Sequence, residues 1–286
     1  YRQEGVSRFE MSVRDGVRNS AAYGYLHSLG AQPNLTIWLG CEVQQINLQG
    51  TRAKGARVLY NGRLIDVTAR RETLLCCGVF GSAQLLMLSG IGPAAHLREH
   101  GIACHVNLPG VGENLQDHLE CHIQVEVKAP VSLNKELQPH RMLWAGVQWF
   151  GLKKGVAAVN QCHVGAFLNS APTTPHPDIQ FHFFPVFFDK NWIPAPTTYG
   201  YRIGVGPMRP TSRGTVRLRS AKVSDPLRID PNYMATEEDW RVMREAMRLG
   251  LAFAEQPALK RFNHREDTPG VQVRGGKAMD DFIRED

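Results

Sequence analysis

The stretch from Glu72 to His118 constrains this chain more than any other. It opens ETLLCCGVFGSAQLLMLSGIGP, passes through a short charged segment, and closes on LPGVGENLQDH. Leu74 to Cys77 is an apolar run too short for a helix, so its composition predicts a buried strand. Gly78 and Gly81 interrupt it, and Ser82 is placed to cap a helix whose body runs from Gln84 to Ser89 and whose stop is Gly90. Pro93 then stands at the first position of a second helix, Ala94 to His100, ended by Gly101. Glycines without a Cβ and the free amides of a helix start let main chain approach a flat or anionic ligand closely. The same punctuation also describes an ordinary strand–helix unit with caps, and spacing alone leaves both readings open.

The rest of the chain supplies an alternating series of short elements. Ser20 to Leu29 reads as a helix capped by Ser20 and ended by Gly30. Asn34 to Leu48 is rich in β-formers and reads as two strands broken at Gly40. Ala53 to Tyr60 and Arg63 to Thr68 flank Asn61-Gly62, the strongest hairpin signal in the chain. After Leu119 the pattern becomes that of an antiparallel sheet with helices on one face. Its strands are Cys121 to Val127, Ile179 to Phe188, Tyr201 to Met208 and Gly214 to Arg219, with an aromatic helix over Met142 to Gly151. Thr236-Glu-Glu-Asp239 forms a capping box for a long helix reaching about Gln256, with Trp240, Met243, Met247 and Leu251 on one face. Lys277 to Asp286 begins a further helix.

Composition narrows the partners. The 286 residues are enough for one large domain or two ordinary ones, and the net charge of +6 comes without a Lys/Arg block. A nucleic-acid partner is therefore not expected, while weak attraction to an anionic membrane surface stays open. The six cysteines include no Cys-x-x-Cys pair and are read as thiols. Cys104-His105, Cys121-His122 and Cys162-His163 match no metal-ligand spacing, so no metal is expected. Thr73 to Ala95 is long and uncharged, but Gly78, Gly81, Gly90, Gly92 and Pro93 punctuate it as strand, turn and helix rather than as a membrane span.

The motif Gly78-x-x-x-Ser82-x-x-Leu85-Leu86-x-Leu88-Ser89-Gly90-Ile91-Gly92-Pro93, followed by Leu108-Pro-Gly-Val-Gly-x-Asn114-Leu-Gln-Asp117-His118, resembles the glucose–methanol–choline (GMC) flavin oxidoreductases. Ala83 stands where that family usually has proline. The opening YRQEGV and the stretches HPDIQFHF and VGPMRPTSRGTVRLRS extend the likeness toward both ends, and toward the choline-oxidising members.

The resemblance implies an α/β plus α+β fold: part of a Rossmann-like FAD-binding domain over residues 34–118, preceded by a linking segment, 1–33, and followed by an antiparallel-sheet substrate domain, 119–286. It implies FAD as cofactor, with the backbone of Val43 on the adenine and with Gly78, Ser82, Asn114 and Asp117 near the cofactor. It implies oxidation of an alcohol by hydride transfer to flavin, choline to betaine aldehyde being favoured, with an unidentified electron acceptor. Glu120 is the carboxylate expected to hold the trimethylammonium group, and His118 is expected in the same pocket; a plain surface glutamate at a strand start is the competing reading of Glu120. Trp144 and Trp149 are cage candidates, with helical core as the ordinary alternative. His176, Asp178 and His182 are close in sequence, with nothing else marking them as a site.

Gly90-Ile-Gly92 and Gly110-Val-Gly112 are not dinucleotide fingerprints, since neither follows a strand and opens a helix. In the family the fingerprint precedes the segment matched by Tyr1, and the catalytic histidine follows the segment matched by Asp286. The chain is thus expected to be an internal fragment, without a catalytic residue of its own and inactive alone. Another GMC alcohol dehydrogenase and a non-catalytic binding module are the alternatives. The expected location is the cytoplasm, with membrane association, or the mitochondrion in a eukaryote, as variants.

Overall fold

The computed structural model describes residues 3–160 and 162–286; Tyr1 and Arg2, which open the YRQEGV stretch, lie outside the described residues. The fold is mixed α/β and divides into two compact units. One unit joins the segment up to Ala31 with His118–Thr211 and Thr236–Asp286; the other joins Gln32–Asp117 with Ser212–Ala235. The units divide the chain at 31/32 and 117/118, beside the expected boundaries at 33/34 and 118/119, and each also takes in a later segment. The reason is long-range pairing: Gly5–Arg8 lies antiparallel to Val164–Leu168, and Leu218 packs with Met87 and Leu97.

The first unit is built on a six-stranded sheet in the order Gly5–Arg8, Val164–Leu168, Ile179–Phe184, Gly200–Pro207, Cys121–Val127, Asn263–Thr268, antiparallel throughout. Side chains alternate faces with period two. Ile123, Val125, Phe181, Ile203 and Val205 form one buried face. The helix Glu237–Ala254 lies against it with Met243, Ala246 and Met247 fully buried. Each such methionine contributes about 1.5–3 kcal/mol of burial. Thr236 Oγ1 accepts from the Asp239 amide at 3.3 Å and starts this helix, as expected. The other face carries His182, Gly204 and His122 in one cross-strand row and Phe184, Arg202 and Gln124 in the next. On this face too the polar residues His122 and Gln124 are buried, so the Cys121–Val127 strand is covered on both sides rather than half-exposed.

The second unit holds the three-stranded meander Cys41–Gln49, Arg52–Tyr60, Arg63–Thr68. Its second turn has Asn61 at φ +50° and Gly62 at φ +74°, the type I′ geometry that an Asn-Gly pair adopts at little cost. The helix Gly78–Leu88 is pinned to the sheet at its C-terminal end. The buried Ser89 hydroxyl donates to the Leu85 carbonyl at 2.6 Å and accepts from the Ile46 amide at 2.8 Å.

Several local expectations are corrected. Leu74 to Cys77 forms no strand: no described segment pairs with it, and Leu74 is 79% exposed. The helix begins at Gly78, four residues before Ser82, which lies inside it rather than at its cap. Gly78 makes the turn itself at φ +73°, and nothing in Val79–Gly81 keeps those residues out of a helix. Leu35 to Leu39 is irregular and only Cys41–Gln49 pairs. The Ser20 segment is a π-type turn over Ala22–Leu26 and a 3-10 turn over His27–Leu29, with the Ser20 hydroxyl accepting from the Tyr23 amide at 3.3 Å. No described helix is long and apolar enough to cross a membrane.

Candidate active site

Glu120 stands one residue before the strand Cys121–Val127, and its side chain folds back over Gly204 on the adjacent strand. A Cβ at position 204 would lie 2.2 Å from Glu120 Oε1, so the carboxylate occupies the gap in the row that this glycine leaves. The histidines flanking Gly204 in register, His182 and His122, then face the carboxylate from either side. His182 Nδ1 lies 2.6 Å from Oε1, and His122 Nε2 lies 3.7 Å from Oε2. The first is a hydrogen bond; the second is long for one and becomes an ion pair only when His122 is protonated.

His122 is fixed from behind. Its backbone amide and its Nδ1 both reach Asp286 Oδ2, at 2.8 and 2.9 Å. The Trp192 ring meets it in a T-shaped contact at 4.5 Å, and the Arg202 guanidinium lies over the same indole at 4.1 Å. Arg202 is 6% exposed; its Nε donates to Gln124 Oε1 at 3.0 Å, while its Nη1 is buried without a hydrogen-bond partner. Gln124 also bonds both the amide and the carbonyl of Phe188 and the Asp267 carboxylate. Phe9 lies 5.7 Å from the His182 ring.

Electrostatics follow from this packing. Burial works against the Glu120 charge, but the interactions with His122 and His182 outweigh it and hold the carboxyl at about 2. Burial likewise works against a charged His122, yet Asp286 and Glu120 together push its pKa above the ordinary histidine value. The Cys121 thiol is pushed up to about 12, first by burial and then by Asp286 and Glu120. The site presents an ionised carboxylate with roughly a third of its side-chain surface open to solvent.

Of the residues expected to take part, Glu120 sits at the centre of this cluster. His118 is exposed and donates from Nε2 to the Met208 carbonyl at 2.8 Å. Asp178 binds the amide and hydroxyl of Ser170, at 2.7 and 2.6 Å, which is a turn-holding role. Trp144 is 61% exposed, and Trp149 donates its indole N–H to the Gly16 carbonyl at 2.8 Å. The aromatic rings packed against the cluster are instead Trp192, on His122, and Phe9, on His182. His122, Gly204 and Trp192 escaped the sequence reading. The signal for His122 was its spacing of two from Glu120, which puts both on one strand face.

In the second unit, Val43 pairs with Val58 just before a bulge in its strand. The helix Gly78–Leu88 starts without a side-chain cap, so its first amides are open to a ligand, beside the exposed Val79 and Phe80. Asn114 is exposed at φ +59°, and the Asp117 carboxylate accepts from the Tyr233 hydroxyl. Among the described residues one cluster, His96, Glu99 and His100, has metal-like spacing. His96 Nε2 accepts from the Leu218 amide at 3.0 Å, which leaves the proton on Nδ1, facing Glu99. A ring so protonated has no lone pair for an ion at Nδ1.

Family models described as GMC oxidoreductase match residues 1–120 and 210–286. Over 286 residues the chain is 40% identical to an oxygen-dependent choline dehydrogenase of Staphylococcus haemolyticus, covering 100% of this chain and 50% of that protein. It is 40% identical over 285 residues to the protein of the same description from Paraburkholderia xenovorans, covering 99% and 51%. Among solved structures, pyridoxine 4-oxidase from Mesorbium loti superposes with a TM-score of 0.83 at 27% identity, over 98% of this chain and 51% of that one. Formate oxidase from Aspergillus oryzae gives a TM-score of 0.87 at 23% identity, over 96% and 52%, and shows the shared fold. The chain belongs to the GMC oxidoreductase family. It spans about half the length of the curated relatives it matches.

Proposed function

We propose that this chain is part of an FAD-dependent alcohol oxidoreductase whose substrate is choline. The observation that carries the reading is the Glu120 carboxylate, held ionised over Gly204 with part of its surface open. A trimethylammonium group donates no strong hydrogen bond, so a fixed negative charge beside aromatic rings is the chemistry that recognises it. The names of the relatives at 40% identity support the same substrate.

Glu120 holds the cation and His182 orients the carboxylate through Nδ1. His118, tied to Met208 near the start of the same strand, is proposed as part of the pocket wall. No residue of this chain is assigned the hydroxyl proton. In the second unit the uncapped start of Gly78–Leu88 fits an anionic or polar ring edge, and exposed Leu74, Val79 and Phe80 fit an apolar ring. Those features, with the backbone of Val43 and the loop holding Asn114 and Asp117, are the proposed contacts of FAD; Ser82, inside the helix, would act through the helix rather than as its cap. When bound, FAD supplies the acceptor for a hydride from the alcohol carbon.

A second reading, a GMC enzyme for an uncharged alcohol, is favoured by one observation: Glu120 already has two histidine partners and needs no cation to offset its burial. Anaerobic bleaching of the flavin in the full-length protein separates the two. Rapid bleaching by choline that Glu120→Gln loses at low choline supports the first reading. Bleaching only by uncharged alcohols discards choline.

A further inference from the structure

The two histidines that face Glu120 are not equivalent. His182 meets the carboxylate with Nδ1 at hydrogen-bond distance, and a neutral ring with its proton on Nδ1 satisfies that contact. His122 is held the other way round. Asp286 accepts a hydrogen bond from Nδ1–H, so in the neutral ring the Nε2 that faces Glu120 carries only a lone pair, 3.7 Å from Oε2. The ring has no freedom to exchange these roles. Its amide and Nδ1 share one Asp286 oxygen, its side chain is 11% exposed, and Trp192 packs against it at 4.5 Å. A second proton on His122 therefore lands on Nε2, pointed at Glu120, where it cancels the charge that a cationic ligand would use.

We propose that His122 is a positioning residue that makes the Glu120 site proton-gated: a proton on His122 Nε2 and an organic cation at Glu120 exclude each other. The inference rests on the reading of Glu120 as a cation site. The charged groups around the ring are consistent with a single switch. Glu120 and Asp286 favour the proton, the Arg202 cation stacks on Trp192 and interacts with Asp286 and Asp267, Asp267 is engaged by Gln124, and burial keeps the Cys121 and Cys162 thiols neutral. His182 contributes from the strand on the other side of Gly204. Because the two carboxylates raise the His122 pKa, the gate opens as pH rises through a value above that of an ordinary histidine. Linkage is reciprocal: a bound cation lowers the same pKa.

The test uses the flavin-loaded full-length protein. KM is measured across pH for choline and for its uncharged carbon isostere, in which a tert-butyl group replaces the trimethylammonium. With one proton displaced per cation, KM for choline falls about tenfold per pH unit below the break and is level above it. KM for the isostere stays flat. His122→Gln removes the slope for choline, and Asp286→Asn moves the break to lower pH. The gate is overturned if the isostere follows the choline profile, or if His122→Gln keeps the slope. Should His122→Gln fail to fold, an unmoved break in Asp286→Asn overturns it equally. Bleaching by choline with a pH-independent KM removes the gate alone; no bleaching by choline at any pH removes the substrate reading and the gate with it.

Discussion

The sheet face of the first unit and the helix start of the second, the two proposed ligand sites, differ in how far their polar groups are already satisfied. On the sheet, Glu120, His122, His182 and Asp286 bond one another, and Gln124 ties Arg202, Phe188 and Asp267 to the same face. At the start of Gly78–Leu88 no side chain caps the helix, and Leu74, Val79 and Phe80 face outward. The first arrangement is pre-organised, so a ligand has to displace little more than water and a proton. The second keeps amides and apolar surface unsatisfied, so it gains order and burial only when something covers it. Specificity is thus expected to reside in the sheet, and tight retention of a large group at the helix.

Four sets of substitutions sharpen or break that contrast. Met243→Ala removes a fully buried side chain between helix and sheet and should cost about 2–5 kcal/mol in chemical denaturation. A cost well under 1 kcal/mol would mean that the sheet does not owe its rigidity to this helix. Glu120→Gln should raise KM for choline by about 100-fold, the size of a partly screened ion pair, and leave the uncharged isostere nearly unaffected. Gly204→Ala should act in the same direction, because its new Cβ evicts the carboxylate rather than backbone. If either change lowered stability without moving KM, the cluster would be structural and the contrast would fail.

Ser89→Ala tests the other unit. It leaves the buried Ile46 amide unpaired, and about 1–3 kcal/mol of stability should be lost, read as faster hydrogen exchange in Cys41–Gln49. Spread of that exchange to Cys121–Val127 would show that the two units do not open separately. Thr236→Ala, at the cap of the long helix, should cost about 1 kcal/mol by thermal melting, with no change in KM. A change in KM there would tie the cap to the site.

Some local signals were a sufficient guide, while others, such as Ser82 as a helix cap, were not. Asn61-Gly62 is the hairpin turn, Thr236 is the cap, and the strand beginning at Cys121 ends at Val127 as its pattern indicates. Where an element needs a distant partner, local pattern misled. Leu74 to Cys77 has strand composition and no strand beside it, and Leu35 to Leu39 likewise. Gln124 and His122 look like the solvent side of an alternating strand, yet both are buried beneath the segment carrying Phe188 and Trp192.

The sequence by itself pointed to the family, through an ordered run of glycines and apolar residues, and the resemblance that this run carries pointed to Glu120. Only the tertiary structure decided what surrounds Glu120. His122, His182 and Gly204 come from three strands, and they meet because antiparallel register sets them in one row. Register is a property of pairing between segments, fixed by hydrogen bonds across tens of residues, and no window of sequence contains it.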